Sequence, residues 1–133
     1  MKAFGLKIVT PDGLRYDGMV EQLTVRTTSG DLGIMAGHIN CVAPLGMGQA
    51  TAVIDGKKRY GACIGGMVSV INGNVNVVAT SFEWADQIDL ARARVSEEKA
   101  RAMLEDKKLS DERLLIAEAR LKRALIRQSV AGK

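Results

Sequence analysis

The stretch Phe82-Glu83-Trp84-Ala85-Asp86-Gln87-Ile88-Asp89-Leu90-Ala91-Arg92-Ala93 decides the fold, because within it the spacing of apolar residues changes from two to about 3.6. The residues before it read as sheet and those after it as helix. Asp89 suits a helix cap, since its carboxylate can accept from backbone N–H groups two or three residues on. Arg92 and Arg94 then fall in the first turn, where the macrodipole disfavours cations. Two readings are open. Either both guanidiniums are solvated, at a loss of about 0.3–1 kcal/mol each, or an anion sits at this helix start.

Upstream, Phe4, Leu6 and Ile8 alternate with Gly5 and Lys7, and Pro11-Asp12-Gly13 supplies the turn after this first strand. A second run, residues 14–28, also alternates, with Gly18 read as a bulge or bend, and Ser29-Gly30-Asp31 reverses the chain. Residues 49–54 and 57–64 flank Asp55-Gly56, a pair suited to a type I′ turn because both positions need positive φ. Residues 67–71 and 75–79 flank Asn72-Gly73-Asn74 in the same way. Thirteen of the 14 glycines and every aromatic stand at or before Trp84, as many short strands with tight turns require.

Downstream, Leu90, Ala93, Ala100 and Leu104 fall on one helical face and Glu97, Glu98, Lys99 and Arg101 on the other, to an end near Glu105. After the short connection 106–109, Ser110 or Asp111 caps a second helix on which Leu114, Ala117, Leu121, Ala124 and Leu125 share a face. So short a connection makes the helices antiparallel neighbours. The fold class is therefore α+β. An antiparallel β-sandwich or flattened barrel spans residues 1–86, and an antiparallel two-helix hairpin spans 87–133. The hairpin's facing residues are mostly alanine and single leucines, which bury little, so it should be able to leave the sheet domain or open without unfolding it.

Composition narrows the function. The 133 residues, 47% of them hydrophobic, suffice for one core with an appendage. No apolar run spans a membrane, and the start lacks the apolar segment of a signal peptide, so a cytosolic protein is expected. Cys41 and Cys63 read as reduced core residues, and with His38 alone for company they make no zinc site. The net charge of +4 comes entirely from residues 89–133, which hold 12 basic and 8 acidic side chains. Beyond residue 112, Arg113, Arg120, Lys122, Arg123, Arg127 and Lys133 face only Glu118, which implies an acidic partner.

No catalytic constellation stands out. The stretch 31–38 is rich in glycine but lacks the phosphate-loop pattern and leads into no helix, and His38 has no nucleophile or carboxylate at a recognisable spacing. Arg113, Arg120 and Arg127 recur every seven residues, with Arg123 on an adjoining line. Without interleaved aromatics this stripe is no nucleic-acid motif. A solvated face, or a face that docks on an acidic protein surface or on nucleotide phosphates, remains.

The opening Lys7-Ile8-Val9-Thr10-Pro11-Asp12-Gly13, the block Thr28-Ser29-Gly30-Asp31-Leu32-Gly33-Ile34 running into Gly37-His38-Ile39 and Ala43-Pro44-Leu45, Gly65-Gly66, and Leu121-Lys122-Arg123-Ala124 form an ordered set over the whole chain. This set resembles the epsilon subunits of bacterial rotary (F-type) ATP synthases, which usually have Pro at the position of Ala36 and often at that of Asn40. The resemblance implies a non-catalytic central-stalk subunit, peripheral on the cytoplasmic face of the membrane. Its sheet domain would couple the catalytic head to the membrane rotor ring of c subunits. Asp31, Gly33 and His38 would lie at the contact with the gamma subunit and that ring. Arg113, Arg120, Arg123 and Arg127 would meet an acidic beta-subunit face in the alpha/beta head and inhibit ATP hydrolysis.

The same resemblance gives the joint a ligand. Ile88-Asp89-Leu90-Ala91-Arg92-Ala93 matches the Ile/Leu-Asp-x-x-Arg-Ala motif through which some bacterial epsilon subunits bind ATP. The implied set is Glu83, Ile88, Asp89, Arg92, Ala93, Lys99, Arg123 and Arg127. Lys99 stands where related ATP binders carry Arg, and offers a point charge in place of a planar fork. No cofactor is required, and ATP would be a regulatory ligand that holds the hairpin folded down. A free cytosolic ATP-binding sensor is the alternative that the same motif permits.

Overall fold

The computed structural model describes residues 2–133. Seven strands come first: β1 (Phe4–Thr10), β2 (Gly13–Val20), β3 (Gln22–Thr27), β4 (Gly30–Met35), β5 (Cys41–Ile54), β6 (Lys57–Ile71) and β7 (Asn74–Trp84). A 3-10 turn, Ala85–Gln87, leads to α1 (Leu90–Leu104) and α2 (Asp111–Ala131). The strands form one sheet in the order β2-β1-β7-β6-β5-β3-β4, antiparallel throughout except for the β1–β7 pair. Those two strands are joined by no hairpin, so no turn dictates their relative direction. The fold divides into two compact units, one ending at Trp84 and the other running Ala85–Lys133. The boundary drawn from sequence falls two residues later.

The central strands are longer than their sequence suggests. Residues 57–64 and 67–71, which read as separate strands, are both part of β6, which runs through Gly65 (φ 67°) and Gly66 (φ 112°). A side chain at Gly66 would run into the Val78 carbonyl oxygen of the neighbouring strand, so only glycine fits. The inward-facing positions also change parity along a strand. In β7, Val75, Val77 and Ala79 are buried and then Phe82 and Trp84. In β5 the switch comes between Leu45 and Ala50. A change of parity turns the opposite face of the strand inward beyond that point, so a single long strand contributes to the core at both ends.

Both hairpin turns carry the expected signature: φ is positive at Asp55 and Gly56 (51° and 76°) and at Asn72 and Gly73 (50° and 81°). Two expectations are corrected. The run 14–28 breaks at Glu21 into β2 and β3, and the bulge in β2 lies at Arg15, which the register skips between Ile8↔Tyr16 and Val9↔Leu14, not at Gly18. Freed from the ladder, the Arg15 carbonyl accepts from Trp84 Nε1 at 3.2 Å. Trp84 is buried edge-to-face against Phe82, with centroids 4.9 Å apart, and Tyr16, at 5.9 Å, while the Arg59 guanidinium lies 4.1 Å from its ring. Leu6, Ile8, Leu23, Ile34, Val68 and Val77 complete a continuous core. Cys63 belongs to it, and burial pushes its thiol up to about 12, so it stays protonated and inert.

Candidate functional site

The joint is a capped helix start. Asp89 has an extended backbone and its Oδ1 accepts from the Arg92 N–H at 3.0 Å, which satisfies one of the first-turn donors. No acidic residue follows in the first turn of α1. The second helix is built the usual way round: Ser110 caps it by accepting from the Arg113 N–H at 3.3 Å, and Asp111 and Glu112 sit in its first turn. The excess of positive charge at the start of α1 is therefore a property of that helix alone.

Four alanines make the seam between the helices. Ala93, Ala100, Ala117 and Ala124 are each at most 4% exposed, spaced seven apart on each helix. Leu114, Leu115, Ile116 and Leu125 all remain exposed. Leu114 and Leu125, expected on the facing side, are thus largely left out of it. Alanine lets the two helices approach closely, at the expense of apolar area. Two polar ties cross the seam: Arg120 Nε donates to Ser96 Oγ at 3.1 Å, and Gln128 Nε2 donates to Glu97 Oε1 at 2.7 Å.

These ties arrange the cations. Arg92, Ser96 and Lys99 share one face of α1 by their spacing, and Arg113, Arg120, Arg123 and Arg127 share one side of α2. The Ser96–Arg120 bond lays the two faces side by side, so Arg92, Lys99, Arg123 and Arg127 gather along one edge of the seam. The other edge carries Glu97, which also accepts from Arg101 Nε at 2.7 Å. The Gln128 amide and then the Arg101 guanidinium hold the Glu97 carboxyl below its ordinary value. The 3-10 turn packs against α2, which brings the approach to Ile88 and Asp89 beside the end of that helix. Of the remaining implied ligands, Ala93 is 4% exposed and fixes the helix spacing, so it offers no surface to a base. Glu83 stands on β7, in the sheet unit.

The other candidate region is at the sheet edge. Asp31 and Gly33 lie on the edge strand β4, not in a loop, and Asp31 pairs with Arg26 across the ladder at 2.8 Å. A side chain at Gly33 would meet nothing within 4 Å. His38 follows in the turn after β4, its N–H donating to the Met35 carbonyl at 3.1 Å and its Nδ1 lying 2.8 Å from the Ile39 carbonyl. Nearby, Asn40 Oδ1 accepts from the Asn72 N–H at 2.8 Å, which ties this connection to the β6–β7 turn. Ile39 is 78% exposed, and Met35, Val42 and Ile71 are also exposed. Among the described residues no group of three His, Cys, Asp or Glu could hold a metal ion, and no helix is long and apolar enough to cross a membrane.

Residues 3–85 match the family model described as ATP synthase, Delta/Epsilon chain, beta-sandwich domain. Over 133 residues the chain is 42% identical to the ATP synthase epsilon chain of Bacillus pumilus, with all of both chains covered. The chain belongs to the ATP synthase epsilon chain family. Its members are non-catalytic subunits, in keeping with a site that is built of cations and caps. The epsilon chain of Bacillus subtilis is 42% identical over 104 residues, covering 78% of this chain and 79% of that one. Among solved structures, a chain of the mitochondrial ATP synthase of Euglena gracilis superposes with a TM-score of 0.80 at 24% identity, covering 93% of this chain and 78% of that one. A chain of the Tetrahymena thermophila central stalk and c-ring assembly gives 0.60 at 14% identity, covering 96% and 95%. At these identities the two structures speak for the fold alone.

Sequence reading missed Ser96, Glu97 and Gln128. The available signal was the alanine repeat: residues flanking a seven-residue alanine line on both helices must meet across it.

Proposed function

We propose that this epsilon chain couples the catalytic head to the membrane rotor through its sheet unit and inhibits ATP hydrolysis through its helical hairpin, with ATP binding favouring the closed hairpin. The observation that carries the proposal is the gathering of Arg92, Lys99, Arg123 and Arg127 along one edge of an alanine seam, at a helix start with no first-turn acid. Phosphate oxygens suit that edge, since guanidiniums can grip them bidentately and the helix terminus adds N–H donors. Asp89 caps the helix and sets the Arg92 backbone, and Ile88 flanks the site.

The site needs both helices together, so ligand binding and hairpin closure are one equilibrium. ATP at a hundred times its dissociation constant would favour the closed form by about 2.7 kcal/mol. When ATP falls, the helices would separate and Arg113, Arg120, Arg123 and Arg127 would reach an acidic beta-subunit face in the alpha/beta head, opposing rotation in the hydrolytic direction. The β4 edge and the His38 turn, with their exposed apolar residues, suit contact with the gamma subunit and the c-ring. Full-length likeness to ATP synthase epsilon chains supports this reading over that of a free ATP sensor.

Calorimetry on the isolated chain tests the ligand. One ATP site is expected, weaker for ADP, and Arg92→Ala or Arg123→Ala should remove most of the affinity. No heat at millimolar ATP, or binding indifferent to both substitutions, would leave Asp89 and its arginines as a helix cap only.

A further inference from the structure

Arg120 is engaged within the hairpin, where its Nε donates to the Ser96 hydroxyl, and the inhibitory role proposed above also requires it. The same donor cannot serve both. We infer that Ser96 and Glu97 form a latch that holds α2 against α1 and withholds Arg120 from docking; the inference rests on the reading that the basic face of α2 is the inhibitory surface.

Ser96 and Glu97 are adjacent in sequence, so their side chains diverge by about 100° around the helix and flank the alanine line on opposite sides. Each reaches one residue of α2, Arg120 and Gln128, over sequence separations of 24 and 31. Neither bond survives separation of the helices. Both are partly shielded from water, where hydrogen bonds to charged groups are strongest. Arg101 braces the Glu97 carboxylate from within α1, so Glu97 is held in place to receive Gln128. Because the buried apolar side chains of the hairpin are four alanines and Val130, all small, the two ties supply a large share of what closes it, and removing either should shift the balance measurably. Release of the Ser96 bond frees the whole Arg120 fork at the moment α2 departs, so opening and arming are the same event.

Amide hydrogen exchange on the full chain, paired with hydrolysis by ATP synthase assembled with the same variants, tests the latch. Ser96→Ala removes the acceptor while favouring helix, so a loss of helix propensity is not a competing cause. It should accelerate exchange across residues 117–128 about tenfold, leave β5–β7 amides unchanged, and lower hydrolysis by the assembled enzyme. Ser96→Thr keeps the hydroxyl and should restore both readouts. Glu97→Gln keeps an acceptor for Gln128 and should accelerate exchange less than Glu97→Ala. Unchanged exchange in both Ser96→Ala and Glu97→Ala overturns the latch. Faster exchange without any fall in hydrolysis overturns the withholding of Arg120. If the combined Arg120, Arg123 and Arg127 alanine variant also fails to raise hydrolysis, the inhibitory reading itself falls, while the exchange result still stands on its own.

Discussion

The sheet unit and the hairpin are held together in opposite ways. The sheet closes around Trp84, Phe82, Leu6 and Ile8, each at most 2% exposed, and ties its turns across long sequence separations, as when Glu21 Oε1 accepts from the Gly56 N–H at 2.8 Å. The hairpin buries only four alanines and Val130, adds two polar ties, and leaves Leu115 and Ile116 67% and 54% exposed. Apolar area removed from water stabilises at about 25 cal/mol per Å², so the sheet is the more cohesive unit and the hairpin the one whose packing costs least to open.

The largest expected effect lies in the sheet. Phe82→Ala removes a ring that touches Trp84 at the centre of the core and should cost about 3–5 kcal/mol, read as a fall in the denaturant midpoint of the sheet transition. A loss under 1 kcal/mol would mean that the two units differ less in cohesion than their side chains indicate. Next comes overpacking of the seam. Ala100→Leu inserts bulk where there is no space and should destabilise the closed hairpin by about 1–3 kcal/mol, seen as lost helix protection with sheet amides untouched. If the sheet loosened in step, the units would not be independent.

Acid should separate the two units as well. The Glu97 carboxyl is held below the ordinary 4.5 in the closed hairpin, so the stability it contributes is present above pH 4.5 and is lost as pH falls through its lowered value. Helix protection should therefore drop on acidification below about pH 4.5 while the aromatic core of the sheet keeps its signal. Glu97→Gln should flatten that dependence. The smallest effect on stability is expected at the sheet edge. Gly33 has ordinary φ and open space around it, so Gly33→Glu should leave stability within about 0.5 kcal/mol while weakening association with gamma. A large stability loss there would move Gly33 from surface to scaffold.

Much of this was legible beforehand, and for identifiable reasons. The turns at Asp55-Gly56 and Asn72-Gly73, the Asp89 and Ser110 caps and the short connection between the helices all depend on local geometry that a few residues dictate. What escaped depends on distant partners. Gly65-Gly66 reads as a break between strands until Val78 is seen packed against it. The bulge at Arg15 follows from the register with β1, which no property of Arg15 reveals. Asp31 and Gly33 carry turn-like chemistry, but pairing with Arg26 and Thr24 makes them strand. On the helices the cations were visible as a stripe, yet Ser96 and Glu97 look like ordinary surface residues until Arg120 and Gln128 arrive from the other helix.

The difference between a cohesive sheet and a releasable basic hairpin is tested most directly by removing the hairpin's second half. ATP synthase assembled with the chain ended after Lys108 should still form and couple synthesis, the sheet unit should keep its denaturant midpoint, and ATP hydrolysis should rise above that of the complete enzyme. Hydrolysis that stays level or falls, with assembly intact, would contradict the account.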